Sequence, residues 1–270
     1  MRRRGYTPGA IREFCDRIGV SKVESESDPA LLEWCVREEL NKTATRRMAV
    51  LDPVKVVIDN WVSEDSPNAD RTSGLAARMV ELPNNPLDES AGTRQVPFGG
   101  VVWIDRADFM EVPEKKFFRM APGQEVRLRG ACIFKCTGCV KDDAGRVVEI
   151  HGTWDEDSWG GNAADGRKVK GTIHWVDCAT GLKAEVRLYD RLFTEKDPLK
   201  DGNDGFLKYL NPESLKVLTA YVEPSLGDAK PLERFQFERT GYFVADEHDS
   251  RPGALVFNRT CSLKDGYKPT

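Results

Sequence analysis

Between Gly92 and Gly130 the chain reads GTRQVPFGGVVWIDRADFMEVPEKKFFRMAPGQEVRLRG, and near its end Arg127 and Arg129 stand two apart in a strand pattern. Successive side chains of a strand point to opposite faces, so the two guanidiniums share one face and Val126 and Leu128 the other. The aliphatic face serves a core. Two planar donor forks about 7 Å apart suit phosphates or unstacked bases of a single-stranded nucleic acid. The alternative is a solvated face on which each arginine pairs with a carboxylate.

Three cysteines, Cys132, Cys136 and Cys139, lie close together in CIFKCTGC. A CxxC can bind zinc or work in redox chemistry, with Cys178 or His151 as a further ligand. Thiols spaced along a strand explain the pattern equally simply, and no second CxxC exists. The three histidines, His151, His174 and His248, stand in no nucleophile or metal motif, and there is no phosphate-cradling glycine loop. His174, inside TIHWV, reads as a packed residue. ADGRK and DAGR read as hairpin turns, and Asp155–Glu156–Asp157 as a solvated acidic loop. By itself this sequence is expected to carry out no chemistry.

The elements that would position these residues are mostly strands. Thr7 before Pro8 caps a helix whose apolar face is Ile11, Phe14, Cys15 and Ile18, stopped by Gly19. Ser27 or Asp28 before Pro29 starts a second helix with Leu32, Cys35, Val36 and Leu40 as its stripe. From Met48 the texture changes. Strands are predicted over Val54–Ile58, Gly100–Phe109, Glu125–Phe134, Arg146–Thr153, Lys168–Val176, Glu185–Phe193, Leu215–Val222, Phe235–Val244 and Leu255–Thr260. Residues Ser63 to Ala91, rich in Ser, Pro, Asn, Asp and Gly, read as one long loop. Many short strands separated by turns suggest antiparallel barrels.

The 270 residues carry a net charge of −4, a poor overall match to a polyanion. Charge is segregated, however. Basic residues gather at Arg2–Arg4, Arg46–Arg47, Lys115–Arg129 and Arg167–Lys170, which is compatible with one basic face. No apolar run approaches a membrane span, and MRRRGY is followed by no hydrophobic segment of a secretory signal.

RQVPF, WIDRADF and EVRLR, together with MRRRGYTPGAIREFCDRIGV, MAVLDPVKVVI, DGRKVKGTIHWV, EVRLYDRLF, NPESL, EPSL, FQFERTGYF and VFNRT, give a chain that resembles the C-terminal region of the glutaminyl-tRNA synthetase family (class I, glutamyl/glutaminyl branch) along nearly its whole length. The resemblance implies a mainly β fold, with two nested antiparallel β-barrels preceded by a short α-helical subdomain. Residues 1–45 would end the helical subdomain. Residues 46–112 and 191–270 would form the proximal barrel, and residues 113–190 the distal one. The family's catalytic domain would precede residue 1, with Met1 an internal methionine or an introduced start. No HIGH-type or KMSKS-type motif is present. The module would bind RNA and need no cofactor, whereas the parent ligase would use ATP with magnesium to join glutamine to tRNA(Gln).

The implied partners are the anticodon loop and inner corner of tRNA(Gln) and the parent's own catalytic domain. The implied state is a cytoplasmic monomer with no membrane contact. The implied RNA-binding residues are Lys22, Arg46, Arg119, Arg127, Arg129, Gln236 and Arg239. Gln236 offers both a donor and an acceptor, as reading a uracil edge requires. In an unbroken strand Arg239 would face away from Gln236 and Glu238. Three positions depart from the family pattern: Phe118, Lys116 and Leu87. The archaeal and eukaryotic type of glutamyl-tRNA synthetase shares the barrels, but RQVPF, WIDRADF and DGRKVKGTIHWV favour the glutaminyl branch.

Overall fold

The computed structural model describes residues 1–22, 26–61, 77–202 and 205–264. Helix α1 (Pro8–Ile18) begins where the Thr7 side chain accepts the Ala10 amide and ends at Gly19, whose φ of 67° a residue with a side chain would resist. Helix α2 (Pro29–Thr43) is capped by the Asp28 carboxylate. The two helices bury Cys35, Val36 and Leu40 together with Tyr242 and Cys261 from strands further along the chain. They therefore share a core with the β structure that follows.

The strands are β1 (Thr45–Arg47), β2 (Ala49–Val50), β3 (Pro53–Ile58), β4 (Arg78–Pro83), β5 (Thr93–Phe98), β6 (Val101–Asp105), β7 (Glu125–Leu128) and β8 (Cys132–Lys141). Then come β9 (Val147–Trp154), β10 (Thr172–Ile173), β11 (Val176–Asp177), β12 (Leu182–Tyr189), β13 (Leu215–Val222), β14 (Arg234–Phe237), β15 (Gly241–Ala245) and β16 (Leu255–Ser262). They form two seven-stranded sheets and one two-stranded hairpin. The first sheet has the order β1-β14-β15-β16-β12-β13-β2, the second β10-β7-β8-β9-β3-β6-β11.

Each sheet curls into a barrel in the same way. The two edge strands of the first, β1 and β2, are separated only by Met48; those of the second, β10 and β11, only by His174 and Trp175. One short segment thus lies along both edges of each sheet and brings those edges together, which shortens the free edge that could recruit another chain. The second sheet is built from chain lying between β2 and β12 of the first, so one barrel is inserted into the other. Most pairings are antiparallel, but each sheet also holds two parallel pairs: β1–β14 and β12–β16, β10–β7 and β3–β9.

Several expected boundaries shift. Strand β6 stops at Asp105 and yields to a 3-10 turn, Arg106–Asp108. Glu125–Phe134 and Phe235–Val244, each expected as one strand, are hairpins turning at Arg129–Ala131 and Glu238–Thr240. Of Lys168–Val176 only short edge pieces pair. Of the expected loop Ser63–Ala91, residues 63–76 lie outside the described residues, and residues 84–88 are irregular as expected. Residues 78–83 are not loop: β4 pairs with β5 over six residues, Arg78 opposite Phe98 to Pro83 opposite Thr93. Val80, Leu82, Val96 and Phe98 of this hairpin join the second barrel's core.

Candidate nucleic-acid interface

The barrels meet along a polar seam. Glu223, fully buried just after β13, accepts hydrogen bonds from Arg94 Nε (2.6 Å) and Nη2 (2.9 Å) and from the Met48 amide (2.8 Å). Trp103 of the second barrel stacks on Tyr221 of the first, with centroids 4.7 Å apart and planes 13° apart. Asp105 Oδ1 accepts the amides of Leu51 and Asp52, the residues that carry the chain from one barrel to the other. Its second oxygen lies 3.0 Å from Nε2 of buried His174. Burial pushes the Asp105 carboxyl up, but the hydrogen bond of His174, with those of the two amides, outweighs it and holds the group below the usual carboxylate range.

The turn of the β14–β15 hairpin reaches across this seam. Arg239 has φ 63°, a left-handed conformation uncommon for a residue other than glycine. That turn, rather than strand alternation, decides where its side chain goes. Arg239 donates two hydrogen bonds to buried Asp108, 2.6 and 2.7 Å, and one to His174 Nδ1, 3.3 Å, which fits the tautomer with hydrogen on Nε2. Burial works against the arginine's charge, but the bonds to Asp108 more than compensate and raise its pKa. Arg119 lies 3.3 Å from the same carboxylate and donates to the Ala107 carbonyl. From the other side the β7–β8 turn places Arg129 Nε 2.6 Å from Glu238, which is 7% exposed.

Two adjoining clefts follow the seam, and a third continues from them on the second barrel. The first, about 310 Å³, is lined by Asn41, Arg46, Pro86, Leu87, Arg129, Gln236, Glu238 and Arg239. The second, about 330 Å³, contains Arg239, Asp105, Asp108, His174 and Arg119. The third, about 230 Å³, contains Arg119, Phe118, Glu125, Lys168 and Lys170. Arg239 lines both the first and the second, and Arg119 both the second and the third, so the clefts form one track.

Of the residues the sequence singled out, Arg46, Arg129, Gln236, Arg239 and Arg119 come together on this track. Arg46 is 5% exposed; its guanidinium donates to the Ala44 and Asn41 carbonyls and to Asn41 Oδ1. Asn41 Oδ1 also accepts from the Tyr242 hydroxyl at 3.3 Å, and that hydroxyl accepts from Gln236 Nε2 at 3.4 Å. Burial pushes the Tyr242 phenol up to about 12, so it remains protonated and able to donate. The relay from Arg46 to Gln236 fixes the amide's orientation, with Oε1 and one N–H left for a ligand.

Arg127 does not join the track. It donates to the carbonyls of Gly161 and Val169 and to Thr172 Oγ1, and so ties the 161–172 segment to β7. Lys22 is exposed in the bend after α1, and among the described residues no contact links it to the clefts. Asn41, Asp108, Glu238, Lys168 and Lys170 belong to the arrangement without having been singled out. For Asp108 the available signal was WIDRADF itself, with three charges in five residues. Asn84 and Asn85 are spent on anchoring their loop: Asn84 accepts from Arg47 Nη1 of β1, and Asn85 donates to the Lys42 carbonyl of α2 and accepts the Leu87 amide, with Leu87 64% exposed at the cleft. Cys132 and Cys136 lie in the second core; burial pushes their thiols up, that of Cys136 to about 11, so they are protonated near neutrality and poorly suited to a metal.

Comparison with known proteins adds a second line of observation. Two family models, each described as "tRNA synthetases class I (E and Q), anti-codon binding domain", match residues 44–155 and 172–246. A glutamine–tRNA ligase of Nitrosomonas europaea is 51% identical over 269 residues, 99% of this chain and 46% of that protein. Proteins of the same name from Bradyrhizobium diazoefficiens, 50% identical over 268 residues, and Vibrio cholerae, 49% identical over 267, match equally completely. The chain spans slightly less than half the length of these relatives, 45% to 46%.

Proposed function

The chain belongs to the anticodon-binding domains of the class I glutamyl and glutaminyl tRNA synthetases, and from that premise we propose that the track along its barrel junction receives the splayed anticodon of tRNA(Gln). The observation that supports this is the continuity of the three clefts through Arg239 and Arg119. Anticodon bases are unpaired and can be spread apart, so their Watson–Crick edges are open to side chains. Gln236, held by the Arg46–Asn41–Tyr242 relay, would read one base edge. Arg129, Arg239 and Arg119 would read others.

The carboxylates decide how these arginines act. A free guanidinium on the surface seeks phosphates. One already held by Asp108 or Glu238 is neutralised and fixed in direction, and offers its remaining N–H groups to a base edge. Arg127 would then act by shaping the 161–172 segment, Arg46 by orienting Asn41, and Lys22 as an outlying phosphate contact. In the whole protein this module would serve glutamine–tRNA ligation. ATP with magnesium would be held in the catalytic domain of the parent, and the enzyme would work as a cytoplasmic monomer.

The test is a titration with anticodon stem-loops for glutamine, glutamate and an unrelated amino acid. The glutamine stem-loop is expected to bind best; preference for the glutamate one moves the assignment to the glutamyl branch. Arg129→Lys keeps a cation beside Glu238 but loses the planar fork. It should cost about 1–3 kcal/mol of binding and relax discrimination at one base. A uniform loss across all stem-loops, with a lower salt slope, would show a phosphate contact instead.

A further inference from the structure

The third cleft differs from the other two. Its wall is an exposed aromatic ring: Phe118, 52% exposed, with the Lys170 ammonium 4.7 Å from the ring centroid. Its one carboxylate, Glu125, is engaged by two hydrogen bonds from Arg167 at 3.0 and 3.3 Å. Exposed Lys168 and Lys170 have no carboxylate within ion-pair distance among the described residues. The backbone that carries the ring is packed tightly against the neighbouring segment. Gly171 lies against the Phe118 carbonyl so closely that a Cβ there would collide with backbone.

An exposed ring beside two lysines that no carboxylate neutralises suits a nucleotide that has left its stack: the base lies on the ring, and its phosphate meets the lysines, Lys170 being already seated against the ring. The first two clefts have no such platform, because there arginines are locked to carboxylates. We propose that Phe118, Lys168 and Lys170 form a stacking subsite for one unpaired nucleobase and its phosphate at the outer end of the track. The proposal rests on the reading that single-stranded RNA occupies the track. It assigns this end to sequence-tolerant stacking, in contrast to the edge reading at the Gln236 end.

The experiment uses the glutamine anticodon stem-loop and a set of copies with one abasic nucleotide at each loop position in turn. Phe118→Ala should weaken binding about 5- to 150-fold without changing the salt slope. Phe118→Trp should retain affinity. Phe118→Leu, which still packs against Lys170, should behave as the alanine variant. Lys168→Ala and Lys170→Ala should each lower the salt slope by about one ion. One abasic loop should bind the parent protein as poorly as the intact loop binds Phe118→Ala, and should bind that variant no worse. Thermal midpoints should stay unchanged, because the ring is exposed. If the parent protein binds the stem-loop and Phe118→Ala binds it equally well, or if no abasic position couples to the ring, the subsite is wrong while the track stands. If the parent protein binds no stem-loop, both fall.

Discussion

Arg127 and Arg129 have the same residue type, lie two apart on one face, and play different parts. Arg127 spends its donors on the carbonyls and hydroxyl of residues 161–172; Arg129 crosses to Glu238 on the other barrel. Alternation made the shared face legible in the sequence, but partners contributed from 34 to 109 residues away could not be read there. Arg127→Ala should therefore cost about 1.5–3 kcal/mol of stability, the worth of hydrogen bonds from a charged group, and raise amide exchange in residues 161–171. An unchanged melting point would sink that role. His151 provides a second test at this scale. Its ring lies 2.9 Å from both Asp59 and Glu149, and these hydrogen bonds, against the effect of burial, raise its pKa. Its contribution to stability should be complete below the unfolded value of about 6.5 and vanish as pH rises through the higher folded value. NMR titration should give a midpoint above 6.5 that falls in Asp59→Asn; an unchanged midpoint in the variant would remove Asp59 as the cause.

Among the elements, the helices were the most legible. Thr7, Asp28, the two first-turn prolines and Gly19 mark their ends through local chemistry alone, and the structure uses the caps as read. The β14–β15 hairpin was not separated because its turn lacks the usual punctuation: Arg239 adopts φ 63° where glycine or asparagine would be expected. The β7–β8 turn does carry a mark, Gly130 at φ 68°, but a single glycine within an apolar alternation reads equally well as an irregularity inside one strand. Strand β4 was hidden by the polar residues around it, and it is the pairing with β5 that makes it a strand. Strand β8 carries the three clustered cysteines. With Cys132 and Cys136 in the core, a metal chelator should leave the melting temperature unchanged. A thiol reagent should modify exposed Cys15 first and reach Cys132 and Cys136 only on unfolding. A chelator-induced loss of fold would instead make the cysteines a structural metal site.

For the whole molecule, the relation between barrels rests on a few buried polar groups. Glu223→Gln removes the charge that Arg94 faces and leaves a guanidinium only 9% exposed without a counter-ion. A loss of about 3–5 kcal/mol is expected, as for other broken buried pairs. The Arg94→Met, Glu223→Gln double variant should recover much of it; a loss in the double variant equal to the sum of the losses in the two single variants would show that the pair is not coupled. This level was the least legible, since Thr45 pairs with Phe235 and Lys55 with Glu149, and nothing local announces such partners. The way each barrel is sealed also sets a timetable. The inserted barrel has its last strand once Asp177 has emerged from the ribosome. The surrounding barrel waits for β16, which ends at Ser262. At synthesis rates of about 5–20 residues per second, that is a delay of roughly 4–17 s. In its first part β1 and β2 have no partners, because β14 and β13 have not yet been made. The RNA-facing junction is therefore the last part of the molecule to exist. Ribosome-held chains that expose residues 1–200 should already protect residues 53–61 and 77–177 from protease while leaving the helices and residues 45–50 open to it.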